Sequence, residues 1–298
     1  MVTEHEINNM NNVYDHINTF YQNIVATGRD DLHAGFFRTP EDDGNTISRQ
    51  AIEELVALAK SVGARFDPAA SVVDLGAGMG GCAHKLAADH GCTVTCVNIL
   101  PSQNSVNRAR SHELGLDHLV SVVEGSYDNL PPEWNDKFDT VWSMDAFLHG
   151  PDKRAIIGEA FRVAKPGAVF IFSDIMAGSY AMQKDVDIYR RRYNIKHEML
   201  TMAQYEDVLE ETGFIVLRAR DFTAHLVPFL RGASKDGERL WDTFSDEIRP
   251  FFEEYVQSYK QSVESLVEAE GQAWSALVCV KPKQGEENKY RRLSGSAK

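Results

Sequence analysis

The residues richest in chemistry run Val72-Val73-Asp74-Leu75-Gly76-Ala77-Gly78-Met79-Gly80-Gly81. An apolar stretch of strand type ends on a carboxylate, and glycines follow. Glycines allow a sharp turn and close approach of backbone to a ligand, and a helix starting behind them offers free N–H groups. Gly76, Gly78 and Gly81 also satisfy the GxGxxG pattern of dinucleotide sites, so the loop alone is ambiguous. Asp74 tilts the choice. A carboxylate there repels a pyrophosphate and suits a cation, such as the ammonium of an amino acid.

S-Adenosylmethionine carries such an ammonium and a sulfonium and has no phosphate, which makes it the expected ligand. Further candidates follow at the ends of later strand-like runs. Asn98 stands 22 residues beyond Gly76, where a group bonding ribose hydroxyls is expected. An amide there can bond both hydroxyls; alternatively, Asn98 only opens the turn before Pro101. Gly125 and Ser126 are placed to meet an adenine. Ser143-Met144-Asp145-Ala146-Phe147-Leu148-His149 follows the fourth run. Carboxyl ends of parallel strands are where open α/β sheets bind ligands.

These positions need a scaffold. Helical spacing predicts a helix over 47–62, and strands are expected at 71–75, 93–99, 119–123, 138–144, 168–174, 214–221 and 274–280. Helices are expected between them at 82–90, 103–114, 152–164 and 205–212, with Lys165-Pro166-Gly167 as a turn and a long helical region over about 225–270. This alternation predicts an α/β fold with a mostly parallel sheet covered on both faces. A chain of 298 residues holds one such domain with insertions. Its 44 acidic and 31 basic residues give a net charge of −13, which disfavours nucleic acid and anionic membrane as partners. No apolar run approaches the ~20 residues of a membrane span, and the polar start is unlike a signal peptide, so a cytoplasmic location is expected. Cys82, Cys92, Cys96 and Cys279 form no CxxC pair and no cluster of zinc spacing. They are read as reduced thiols, with no metal expected.

Asp74-Leu-Gly-Ala-Gly-Met-Gly80, Asn98-Ile99, Gln103-Asn104, Asp145-Ala-Phe-Leu-His149 and Arg162-Val-Ala-Lys-Pro-Gly167 together resemble class I methyltransferases. Within them the chain is most similar to sarcosine/dimethylglycine N-methyltransferases and more distantly to phosphoethanolamine N-methyltransferases. The likeness covers about residues 14–283. It implies a Rossmann-like, seven-stranded sheet whose last strand is antiparallel, with helical cap insertions at about 175–204 and 223–270. It implies a lid and tail over 1–45, a methyltransferase domain over 46–283 and a flexible tail over 284–298. It places Asp74, Gly76 and Gly78 around the methionyl part of S-adenosylmethionine, Asn98 at the ribose and Ser126 near the adenine; Ile99, Gln103, Gly125 and Asp145 join this donor-binding set. It pairs His149 with a tyrosine of the N-terminal segment, either Tyr14 or Tyr21.

Methyl transfer from a sulfonium is an in-line displacement, so alignment and water exclusion carry most of the catalysis; positioning alone is worth ~7–11 kcal/mol. An amine acceptor must first lose a proton, and a neutral His149 is the expected base. Arg190, Arg191, Arg192, Tyr193 and His197 lie where a cap would cover the cleft. Of these, Arg191, Arg192 and His197 are the candidates to read a substrate carboxylate. Trp142 and Phe147 are candidate walls for a methylammonium. The expected reaction is methylation of sarcosine and dimethylglycine to glycine betaine. S-methylation of a thioether acid, as in dimethylsulfoniopropionate synthesis, and phosphoethanolamine methylation are the enzymatic alternatives, and a cofactor-binding partner protein is the non-enzymatic one. The acceptor is expected to be a small molecule and the chain a monomer or homodimer.

Overall fold

A computed structural model describes residues 31, 33–192, 197–243, 246 and 249–294. Its centre is a seven-stranded sheet of order β3-β2-β1-β4-β5-β7-β6. The strands are β1 (Ser71–Leu75), β2 (Thr93–Asn98), β3 (Val120–Glu124), β4 (Phe138–Met144), β5 (Ala164–Ala177), β6 (Ile215–Asp221) and β7 (Gln272–Val280). β1 to β5 pair in parallel, while β7 runs antiparallel to both β5 and β6. The reading of a mostly parallel sheet with an antiparallel last strand therefore matches the architecture.

Strand alternation sorts side chains to two faces. Val73, Leu75, Val141, Phe170 and Phe172 pack on one side with Ile156, Ile157 and Leu209 from α4 (Lys153–Val163) and α6 (Met202–Thr212). Val72, Trp142 and Ile171 pack on the other side with Ala51 and Leu55 from α1 (Gly44–Lys60), Leu86 from α2 (Gly81–His90) and Leu226 from α7 (Thr223–Arg239). Asp74 follows the Val72 phase and so belongs to this second face. α1 starts where the Asp43 side chain accepts from Thr46 N at 2.8 Å, an N-cap that satisfies one free donor. Thr201 and Gln204 form a reciprocal capping box at the start of α6. α3 (Pro101–Glu113) crosses between β2 and β3.

Three boundaries differ from the sequence reading, each for a local reason. Lys165-Pro166-Gly167 is not a separate turn. It is a bulge inside β5, because pairing jumps from Phe138↔Ala164 to Thr140↔Val169 and Gly167 takes a φ of 90°. β5 then runs on to Ala177 because β7 pairs with it up to Ala177↔Gln272. The helical stretch after β6 is two helices, α7 and α8 (Arg249–Ala269), and a further helix α5 (Gln183–Arg192) precedes α6.

The segment expected as a flexible tail contains α9 (Glu287–Leu293). Tyr290 is buried against Ile215, Leu217 and Val280, and Arg218 donates to the Leu293 carbonyl at 2.7 Å. One aromatic anchor in a polar segment is enough to seat a short helix on the edge strand β6. Tyr290→Ala is expected to lower stability by about 2 kcal/mol. Calorimetry should show a transition lowered by a few degrees, with methyl transfer at low temperature unchanged.

Candidate methyl-donor and acceptor site

The glycine loop lies between β1 and α2. Gly76 has a φ of 84°, and a Cβ there would stand 2.4 Å from Ala146 Cβ. Gly80 caps α2 with a φ of 91°, and its Cβ would meet the Asn107 side chain at 2.4 Å. Both positions therefore require glycine on backbone and steric grounds. The Gly76 and Ala77 N–H groups donate to Val97 O at 2.8 and 3.1 Å, which ties the loop to the end of β2.

Asp74 is 2% exposed, and its Oδ2 has no hydrogen-bond partner among the described residues. Burial pushes its acid constant up to about 7, opposed by the charge of His33. An orphaned buried carboxylate is costly unless a cation completes it. Across the cleft Asn98 Nδ2 donates to Gln103 Oε1 at 3.1 Å, while Asn98 O accepts from Asn104 Nδ2 at 3.0 Å and Gly125 N at 3.2 Å. Asn98, Gln103 and Gly125 are thus brought together at the ends of β2 and β3, with Ile99 next in the chain and half-buried. Ser126 O accepts from Asn129 N at 3.2 Å. Two residues on, Asp128 keeps a buried Oδ1 without a partner among the described residues. Asp128 was not singled out from the sequence; a carboxylate just past the glycine–serine step was the available signal.

This polar set fits S-adenosylmethionine. The Asp74 and Asp128 carboxylates and the Asn98–Gln103 amides offer hydrogen-bond acceptors, in keeping with a ligand that carries an ammonium, ribose hydroxyls and an adenine amine. The glycine loop supplies the close backbone.

Asp145 has a different place from the expected one. Its Oδ2 accepts from Ala34 N at 2.9 Å, and its Oδ1 accepts from Ser173 Oγ at 2.6 Å and Trp274 Nε1 at 2.9 Å. Both oxygens are committed, so Asp145 fastens the N-terminal segment to the sheet rather than offering an open acceptor to the donor. It does so at a φ of 50°, an uncommon conformation for a non-glycine residue. The same segment is held by His33, whose Nδ1 lies 2.9 Å from Ala34 O, and by Phe36 stacked on His225 at 3.8 Å. Burial lowers the His33 acid constant, but the hydrogen bond and charge of Asp31, with the charge of Asp145, outweigh it and leave it raised. Tyr14, Tyr21 and Tyr193 lie outside the described residues.

His149 ends a tight turn, Phe147–His149, beyond β4. Burial, with Lys153 and His197 as flanking positive groups, lowers its acid constant to about 3, so the imidazole is neutral near pH 7. The turn is braced from below. Leu148 N donates to Asp174 Oδ1 at 3.2 Å, Lys153 Nζ donates to Gly150 O at 2.6 Å, and His197 Nε2 lies 3.0 Å from His149 O. Asp174, fully buried and itself raised to about 7 by desolvation, accepts from Tyr205 OH at 2.6 Å. None of Lys153, Asp174 and Tyr205 was singled out from the sequence, because they lie on separate elements and form no local motif. Tyr127 donates to Ala146 O at 3.2 Å and packs its ring edge-on to Phe147.

The expected acceptor set is largely dispersed. Trp142 is fully buried with Phe66 at its edge, and Phe147 sits among Tyr127, Phe170 and Phe172 on the opposite face. Both are core residues, not cleft walls. Arg192 is 5% exposed, stacks over Tyr259 at 4.2 Å and donates to Ser258 Oγ at 2.8 Å and Ser262 Oγ at 2.6 Å. Its guanidinium joins α5 to α8, and Arg192 also lines the cavity between them. Arg190 lies 3.8 Å from Asp187. Arg191 is exposed and lines a cavity of 280 Å³ between α5 and α8. His197 touches the backbone of the His149 turn.

A methyltransferase domain model matches residues 73–172, the span from β1 into β5. Fold and site together define a class I methyltransferase that uses S-adenosylmethionine. A sarcosine/dimethylglycine N-methyltransferase from Aphanothece halophytica is 30% identical over 266 residues, covering 88% of this chain and 92% of that protein. A glycine/sarcosine/dimethylglycine N-methyltransferase from Actinopolyspora halophila is 36% identical over 167 residues; the match takes in 56% of this chain and 28% of that protein's length. A solved structure from Galdieria sulphuraria, described as a sarcosine dimethylglycine methyltransferase, superposes with a TM-score of 0.81 at 26% identity, covering 90% of this chain and 98% of that one. The chain belongs to the sarcosine/dimethylglycine N-methyltransferase family.

With Asp74 as the partner of the donor's ammonium, its raised acid constant predicts proton-linked donor binding. Near pH 6.5 the free protein carries a substantial fraction of Asp74 protonated, and an arriving ammonium favours the ionised form. Donor binding is therefore expected to release a fractional proton at pH 6.5 and less at pH 8.5. Calorimetry in buffers of different ionisation enthalpy measures this. Asp74→Asn should abolish the release and weaken donor affinity at least about 10-fold, the scale of a lost charge-assisted hydrogen bond.

Proposed function

We propose that this enzyme transfers methyl groups to the amine nitrogen of sarcosine and dimethylglycine, yielding glycine betaine. The observation that carries the reading is a half-buried, neutral imidazole on a braced turn at the carboxyl end of β4, one strand from the orphaned Asp74. The names of the full-length relative and of the solved structure support the same acceptors. No helix among the described residues is long and apolar enough to cross a membrane, in keeping with a small polar acceptor.

When bound, S-adenosylmethionine supplies a methyl group on a sulfonium. Asp74 holds its ammonium, and Gly76 lets backbone and ligand meet without a side chain between them. The segment around Ala34, latched to Asp145, shields this end from water. His149 accepts the hydrogen bond of the substrate N–H and passes the proton on to solvent, since an imidazole with an acid constant near 3 does not keep it. Asp174, Lys153 and His197 fix the backbone of that turn, so the imidazole approaches from one direction only.

His149→Ala is expected to lower kcat with dimethylglycine by about 10²-fold, the lower end for a positioned acid–base group. The wild-type rate should rise with pH as the amine deprotonates, with no break from His149 between pH 5 and 8. A product assay by mass spectrometry over glycine, sarcosine, dimethylglycine, phosphoethanolamine and a methylthio-hydroxy acid tests the acceptor. S-methylated product alone, with full activity in His149→Ala, would overturn the amine reading, because a thioether has no proton to lose.

A further inference from the structure

We propose that Asp31, His33 and Cys82 form a binding site for a thiophilic divalent cation of the zinc class, and that an ion held there excludes the methyl donor. One ligand atom from each of the three residues lies within 4.8 Å of the others. Asp31 and His33 come from the N-terminal segment and Cys82 from the first turn of α2, so sequence spacing could not reveal the set.

Each ligand already has the supporting contact that metal-binding side chains require. His33 Nδ1 lies 2.9 Å from Ala34 O, which holds a proton on Nδ1, so Nε2, 3.6 Å from Asp31, is the nitrogen that an ion would take in place of its proton. Ser48 Oγ donates to Asp31 Oδ2. The Trp142 indole N–H is fully buried without a hydrogen-bond acceptor among the described residues, and it lies near enough to Cys82 to favour its thiolate. A buried donor waiting beside a thiol is satisfied once that thiol becomes an anion. The thiol on its own stays protonated, because burial and the charges of Asp74, Asp31 and Asp145 oppose a lone thiolate. Those same carboxylates attract a divalent ion. Coordination forms the sulfur–metal bond and sends the thiol proton to solvent, with no change of oxidation state.

The donor set of one imidazole, one carboxylate and one thiolate suits zinc and its heavier congeners and disfavours magnesium or calcium. Met144 Sδ, 3.6 Å from Cys82 Sγ, adds a second soft atom. Asp74 acts electrostatically on both His33 and Cys82, so the ion and the donor's ammonium draw on one pool of negative charge. An ion would also clamp the N-terminal segment to α2, the helix that follows the glycine loop. The exclusion rests on the assignment of Asp74 to the donor; the metal site does not.

Cobalt(II) added to the full chain without donor is the test. A thiolate-to-cobalt charge-transfer band in the near ultraviolet is expected, lost in Cys82→Ser and displaced by zinc. His33→Gln should weaken cobalt binding by about 10-fold or more, and it stands as the independent variant if Cys82→Ser fails to fold. No band, or a band that survives in Cys82→Ser, would overturn the site. In the second arm, adding donor should bleach the band, and zinc should raise the apparent KM for the donor while leaving kcat. Donor and cobalt bound together would overturn the exclusion and leave the metal site standing.

Discussion

A carboxylate sealed at the tip of the first strand governs this molecule. Asp74 is nearly inaccessible, one of its oxygens has no partner, and its acid constant is drawn up toward neutrality by burial alone. Such a group is costly to keep and pointless as packing. A positive charge beside it would offset that cost. The glycine loop follows it directly, and the one charged group that acts on it among the described residues, His33, comes from the segment that Asp145 fastens to the sheet through Ala34. The fold tolerates the cost because the rest of β1 is clamped between β2 and β4 in continuous register.

The acceptor half follows a different logic. The donor end is built on a single strand–loop–helix, whereas the His149 turn is held by contacts converging from β5, α4, α6 and the segment before α6. Asp174, Lys153 and His197 bond the turn directly, and Tyr205 bonds Asp174. Two of these groups, Lys153 and Asp174, are ionisable and buried as neighbours, and each moderates the desolvation cost of the other. The imidazole is left neutral and rigidly carried, which suits a proton acceptor that must stay out of the line of displacement.

This difference explains what the sequence made legible. The sheet and its order of elements were readable, and so was the clustering of Asp74, Gly76, Asn98 and Gln103 at the carboxyl ends of β1 and β2, because these residues lie in short contiguous motifs with known strand periodicity. Asp145 and Arg192 were located correctly but misassigned in contact: nothing local announces that Ala34 or Ser258 will claim their polar atoms. Trp142 and Phe147 looked like cleft walls because they flank the motif after β4, yet strand alternation sends Trp142 into one core face and the turn after β4 folds Phe147 into the other. Tyr290 was overlooked since one aromatic in a charged segment carries no periodic signal. Long-range pairings of this kind require the fold, not the motif.

The placement of β7 between β5 and β6 has an evolutionary consequence. α7 and α8 leave the sheet at β6 and return through β7, so this helical insertion is spliced into the sheet's far edge, remote from β1 and β2. The methyltransferase domain match ends within β5, before the insertion begins. Replacing or lengthening it leaves the strand that carries Asp74 untouched. A lineage with this topology can vary one contiguous helical stretch while β1 and its glycine loop are inherited intact.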